Sequence, residues 1–166
     1  MYPVKGEGVY SDHFLESVRE LVEPLVRGMG YALVDLAVGR RKGSTTVSVV
    51  IYSTEGVGID QCADVSRLLL PRLETMEGMM EVVLEVSSPG IERTLKSPAE
   101  YAVFAGRGIR FLSGDETEWR TGIIDRVEDG TVWLRSGGET HGFALDGIRK
   151  ARLDHSVEVE EDKNAV

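Results

Sequence analysis

The sequence predicts an α+β protein of two parts, an αββαβ domain followed by a small all-β domain. Three observations predict it. Over residues 11–95, apolar residues recur at spacings of three and four or by alternation, in the order helix, strand, strand, helix, strand. Beyond residue 96 the texture changes to short runs separated by glycine-containing turns. Hydrophobic residues at 42% and charged residues at 28% are ordinary for a soluble globular chain, and no apolar run approaches the roughly 18 residues that cross a bilayer.

Residues 1–10 show no period and are expected to fray; they also lack the apolar core of a signal peptide. From Ser11 onward, Phe14, Val18, Leu21, Val22, Leu25, Val26 and Met29 fall on one helix face. Ser11 or Asp12 caps its start, and Gly28 and Gly30 stop it. Pro24 lies inside the pattern and predicts a kink near Glu20. Ala32, Val34, Leu36 and Val38 then line one face of a strand, and Val47, Val49 and Ile51 one face of a second. Gly39-Arg40-Arg41-Lys42-Gly43-Ser44 reads as the hairpin loop between them and is the densest positive spot in the chain. A solvated tip that keeps the sheet soluble and a finger that reaches RNA phosphates both fit it. Asp60 caps a second helix running to about Thr75, with Cys62, Ser66, Leu69, Leu70 and Leu73 inward and a bend or early end at Pro71. Val82, Leu84 and Val86 form a third strand, which leads through Ser87-Ser88 to Pro89-Gly90. A type II turn is expected there, with Gly90 at positive φ, and Glu92 and Arg93 on an extended arm beyond it. A three-stranded sheet with both helices on one face buries all these stripes. The outline is similar to KH-type RNA-binding modules, but no two glycines stand three apart, so the GXXG backbone clamp is absent.

In the second part, Ser97 reads as an N-cap, Pro98 as the first helical position and Glu100 as completing a capping box with Ser97. Tyr101 and Phe104 pack inward from this short helix, and Gly106 ends it. Short strands are expected at 108–112, 120–127, 131–135, 141–145 and 150–153, with Glu128-Asp129-Gly130 and Ser136-Gly137-Gly138 as hairpin turns. Five strands in so short a span suggest a small SH3-like (Sm-like) β-barrel over residues 96–153. Core packing is the default for Trp133, whereas Trp119, after an acidic loop, fits either the core or an exposed anchor for a protein partner. Residues 154–166, with one basic and five acidic side chains, read as a disordered tail that aids solubility.

The formal net charge of −9 excludes condensation on naked nucleic acid by charge alone. Either a local basic patch touches RNA, or the main partner is itself basic. Arg40, Arg41, Lys42, Arg93 and Lys96 are the RNA-contact candidates on charge, and Trp119 the protein-contact candidate. His13, His141 and His155 stand far apart, with no HExxH, GxSxG or phosphate-loop pattern, so a small hydrolase is the weaker reading. Asp60 and Asp64 read as a cap and a solvated face rather than metal ligands, and no cofactor is expected. Cys62 reads as a small buried hydrophobe; as a single cysteine it precludes an intramolecular disulfide, which agrees with a reducing cytoplasm.

Two long motifs, Cys-Ala-Asp-Val-Ser-Arg-Leu-Leu-Leu at 62–70 and Glu-Val-Ser-Ser-Pro-Gly-Ile-Glu-Arg-Thr-Leu at 85–95, together resemble the ribosome maturation factor RimP family. The segment ending in Phe104-Ala105-Gly106 and the run from Phe143 to Leu153 extend the resemblance over nearly the whole chain. Thr94 departs from it, standing where the family usually carries proline. The resemblance implies a non-enzymatic, monomeric, cytoplasmic assembly factor that binds the immature free small (30S) ribosomal subunit. It also implies partners, namely rRNA and a basic ribosomal protein near the decoding centre, with the second domain contacting that protein. An autonomous Sm-like RNA-binding module is the alternative.

Overall fold

Ser11 opens the first helix as expected, its Oγ accepting from the Phe14 N–H at 3.2 Å. The computed structural model describes residues 11–90 and 92–164. The N-terminal stretch expected to fray therefore lies outside the described residues. The chain divides into two compact units, Met1–Pro89 and Gly90–Val166.

The first unit begins with α1 (Asp12–Gly28), in which Val18, Val22 and Val26 are fully buried. The helix continues through Pro24 to Gly28. Pro24 and Glu20 both lie on the exposed side of the helix, where a missing intrahelical bond costs least. Next come β1 (Ala32–Arg41) and β2 (Ser44–Tyr52), paired antiparallel. The hairpin loop is shorter than the sequence suggested. Only Lys42 and Gly43 lie outside the strands, with φ of 46° and 84°, the left-handed pair that a two-residue hairpin needs.

Helix α2 (Ile59–Glu74) is capped by Gly58 rather than Asp60, and the Gln61 side chain accepts from the Gly58 N–H at 2.9 Å. Its inward residues are Val65, Leu69 and Leu73; the expected Ser66 and Leu70 are only partly buried. The helix continues three residues past the exposed Pro71. Cys62 packs partly buried against the core, and burial pushes its thiol pKa up. Strand β3 (Glu81–Ser87) follows and pairs parallel with β2, giving the sheet order β1-β2-β3. Leu36 and Val38 of β1 and Val47, Val49 and Ile51 of β2 join the valines and leucines of both helices in one cluster. Both helices thus cover one face of the sheet, as the periodicities predicted. Gly90 does not take positive φ, so the expected type II turn is absent; the Arg93 N–H instead bonds the Gly90 carbonyl at 3.1 Å.

The second unit starts earlier than residue 96. The Leu95 N–H donates to the Ala151 carbonyl at 2.9 Å, the Leu153 N–H donates to the Arg93 carbonyl at 3.0 Å, and Thr94 bridges Arg152. Backbone pairing therefore assigns the arm, which the sequence placed in the first domain, to the second unit. Then come α3 (Pro98–Val103), β4 (Gly108–Ser113), β5 (Arg120–Glu128), β6 (Thr131–Ser136), β7 (Glu139–Ala144), a 3₁₀ turn and β8 (Ile148–Leu153). The strands form one antiparallel sheet in the order β7-β6-β5-β4-β8. It does not close: β7 and β8 are its edges, in place of the full barrel the strand count suggested. It is nevertheless rolled. Phe111 on β4 and Phe143 on β7 are three strands apart, about 14 Å in a flat sheet, yet their ring centroids are 5.0 Å apart. Trp133 departs from the core default. Its neighbours Val132 and Leu134 are buried, so alternation turns the indole to the other face, where Arg126 lies 4.6 Å over the ring.

The acidic tail is also a correction, because His155–Asn164 forms a helix, α4. Val157 is buried, and Glu158 accepts from Arg107 Nε at 2.7 Å and from the Gly108 N–H at 2.8 Å, with His155 Nδ1 2.6 Å from its other oxygen. A Cβ at Gly108 would meet the Asp154 carbonyl at 2.7 Å and Val157 Cβ at 2.8 Å, so glycine is what permits this approach. Burial raises the Glu158 pKa, but the Gly108 N–H, Arg107 and His155 outweigh it, and the net shift is downward. A depressed carboxylate stabilises above its unfolded pKa and loses that contribution as pH falls through the folded value. Acid titration below the ordinary glutamate value of about 4.3 is therefore expected to release α4. The amide resonance of Gly108 should report this, and Glu158→Gln should abolish the step; a Gly108 signal flat through that range would refute the anchor.

Candidate nucleic-acid interface

Alternation decides what the hairpin cations can reach. Arg40 lies opposite Thr45, on the face that carries Val38 and Val47, and its Nη2 sits 2.6 Å from the Met80 sulfur. Arg41, opposite Ser44, lies on the other face, and Lys42 occupies the turn itself. All three are exposed. The three adjacent cations thus diverge from one tip rather than forming one stripe. Lys42 holds φ at 46°, a conformation that costs a non-glycine residue about 1–2 kcal/mol.

Arg93 and Lys96 fare differently. Arg93 donates through Nη2 to Glu100 Oε1 at 2.7 Å and through Nε to Oε2 at 3.4 Å, and the two side chains are only 11% and 5% exposed. This guanidinium is committed to an internal pair and is not presented to a phosphate, which corrects the expectation from charge alone. The same carboxylate accepts from the Lys96 N–H at 3.0 Å. Glu100 therefore reaches past Ser97, the N–H of the expected capping box, and ties the arm to α3. The Lys96 side chain is exposed at the edge of a cleft of about 720 Å³, which Asp129, Asp146, Arg149 and Tyr101 also line. Burial, then Glu100, push the Tyr101 phenol up to about 12.

Trp119 is 41% exposed and has company that the sequence did not reveal. The β4–β8 register sets Arg110 opposite Arg152, and both guanidinium carbons lie near the Trp119 ring, at 5.4 and 5.9 Å from its centroid. Arg110 and Arg152 are 42 residues apart and each is flanked by apolar core positions, so no local pattern marks them. The strand pairing alone makes them neighbours. Among the described residues the Glu92 carboxylate, itself 71% exposed, lies 3.7 Å from Arg110.

Among the described residues no three or more His, Cys, Asp or Glu side chains are grouped to hold a metal ion. His141 lies 3.2 Å from Glu139 and His155 beside Glu158. No described helix is long and apolar enough to cross a membrane, which says nothing of membrane β-barrels. Compared with protein-family models, residues 21–92 match the RimP N-terminal domain. The matched span runs from the middle of α1 to the start of the arm and takes in the whole of the 62–70 motif and residues 85–92 of the 85–95 motif.

Proposed function

Since residues 21–92 match the N-terminal domain of the RimP ribosome maturation factors, we propose that this chain belongs to that family and acts by binding the immature free small (30S) ribosomal subunit, without catalysis of its own. The family match over residues 21–92 carries this reading. The charge balance supports it: a chain of net charge −9 is attracted to a basic ribosomal protein and repelled by bare RNA, except where cations project. On this reading the protein works in the cytoplasm, as a monomer. The rolled five-stranded sheet serves as an SH3-like module whose partner is a basic protein, near the decoding centre. Arg40, Arg41 and Lys42 contact rRNA phosphates from the hairpin tip, and Lys96 does so from the second unit.

Co-sedimentation with precursor and finished small subunits tests the proposal. Preferential association with precursors is expected, and Arg40→Glu/Arg41→Glu/Lys42→Glu should weaken it by roughly tenfold or more at physiological salt. Lys42→Asn should raise stability by up to about 1 kcal/mol while lowering the association. Equal binding to both particles would remove the assembly reading. Tight, steeply salt-dependent binding to free oligonucleotides with no preference for subunits would favour the autonomous Sm-like RNA-binding module.

A further inference from the structure

We propose that the outer face of β4 and β8 in the second unit is a binding site for single-stranded RNA, in which one base stacks on Trp119 and Arg110 and Arg152 hold the adjoining phosphates. This does not rest on the ribosomal reading; the second unit's own side chains carry it. Two guanidiniums directly opposite one another on paired strands repel, so their placement is unfavourable in the unliganded protein. The Nε atoms of Arg110 and Arg152 are both shut away from solvent without a hydrogen-bond acceptor. Glu92, 3.7 Å away and mostly exposed, is too well screened to neutralise the pair. An anion between the two arginines would relieve both the repulsion and part of the missing hydrogen bonding.

The surroundings select which anion. Lys150 lies two residues before Arg152 on β8, exposed and on the same face. Thr121 opposite Arg110 and Thr94 opposite Arg152 add two exposed hydroxyls. A π-surface, three cations and hydroxyl donors on an open sheet face are the chemistry that recognises splayed, unpaired nucleotides. A basic protein would meet like charge here, so Trp119 is better suited to RNA than to the protein contact expected from sequence. A duplex keeps its bases stacked inside and offers Trp119 nothing to stack on.

The test uses the full chain and a fluorescein-labelled ten-nucleotide single-stranded oligouridine at low salt, with anisotropy as the readout. Trp119→Ala should weaken binding by about tenfold and Trp119→Phe much less, as expected for the loss or retention of one base stack. Arg110→Gln/Arg152→Gln should weaken binding and flatten its salt dependence, while Arg126→Gln should do neither. Melting temperature checks each variant's fold; if the double variant is unstable, Trp119→Ala alone decides. The Trp119 dependence should persist in an Arg40→Glu/Arg41→Glu/Lys42→Glu background, which separates this site from the hairpin tip. Binding unaffected by Trp119→Ala, or a duplex of equal length bound as tightly, would overturn the proposal. So would oligoglutamate binding more tightly than RNA with the same Trp119 dependence, which would assign the face to an acidic protein.

Discussion

Glu100→Ala is expected to destabilise the second unit by about 3–5 kcal/mol, because it strands a buried charge. The Glu100 carboxylate, 5% exposed, accepts from Arg93 twice and from the Lys96 N–H. Truncation takes this carboxylate away from the Arg93 guanidinium, 11% exposed, and frees a backbone donor in the arm. Urea unfolding of the full chain, followed through the near-UV signal of the second unit, measures the loss. A second arm of the experiment tests the cause. Replacing both partners at once, Arg93→Met with Glu100→Leu, should recover much of the stability, since the penalty comes from an unpaired charge rather than from a missing attraction. If Glu100→Ala unfolded at the same urea concentration as the parent, the pair would be unimportant and Arg93 would again be available to a ligand.

Phe111→Ala should cost a similar 3–5 kcal/mol, from lost burial and the cavity left behind. Phe111 is 1% exposed and meets Phe143 edge to face across a sheet that would otherwise hold them far apart. Its more informative use is in a double-mutant cycle with Phe143→Ala. Direct contact predicts a coupling of about 0.5–1.5 kcal/mol beyond the separate losses. Strictly additive losses would mean that the two rings do not meet in solution and that the sheet is flatter than described. Arg120, whose guanidinium lies 4.7 Å over the Phe143 ring and 5.9 Å over that of Phe111, covers the same pair from outside.

Much of the architecture was legible because period and burial coincide. Val18, Val22 and Val26, and the alternating valines of β2, are apolar at the period of their own element, and no distant information is needed to read them. Signals failed where a side chain's partner is remote in sequence. Glu100 stood where a capping box would place it, but its strongest partner lies seven residues back on the arm. Trp133 could not be oriented because Val132 and Leu134 on either side are also apolar. Composition alone reads the tail as disordered, and composition is indeed poor; Glu158 ties it to a glycine fifty positions earlier, and Val157 beside it is buried. The hairpin cations show the same limit at short range, since adjacency in the chain became divergence once β1 was found to include Arg40 and Arg41. For Arg110 and Arg152 the only clue available was that each sat at an outward position of a strand, and pairing register is not written in either strand alone.

The bulge between Leu33 and Asp35 bears on how the protein tolerates crowding with its own kind. β1 is an outer strand, and an irregular step in its backbone spoils the regular donor–acceptor row that a stray strand would copy. The opposite rim, β3, places Glu81 and Glu85 on either side of the exposed Val83, so two such rims brought together would repel. Both borders of the first sheet therefore resist templated growth into fibres, and concentrated stocks should stay free of cross-β aggregates without added salt or chaperone.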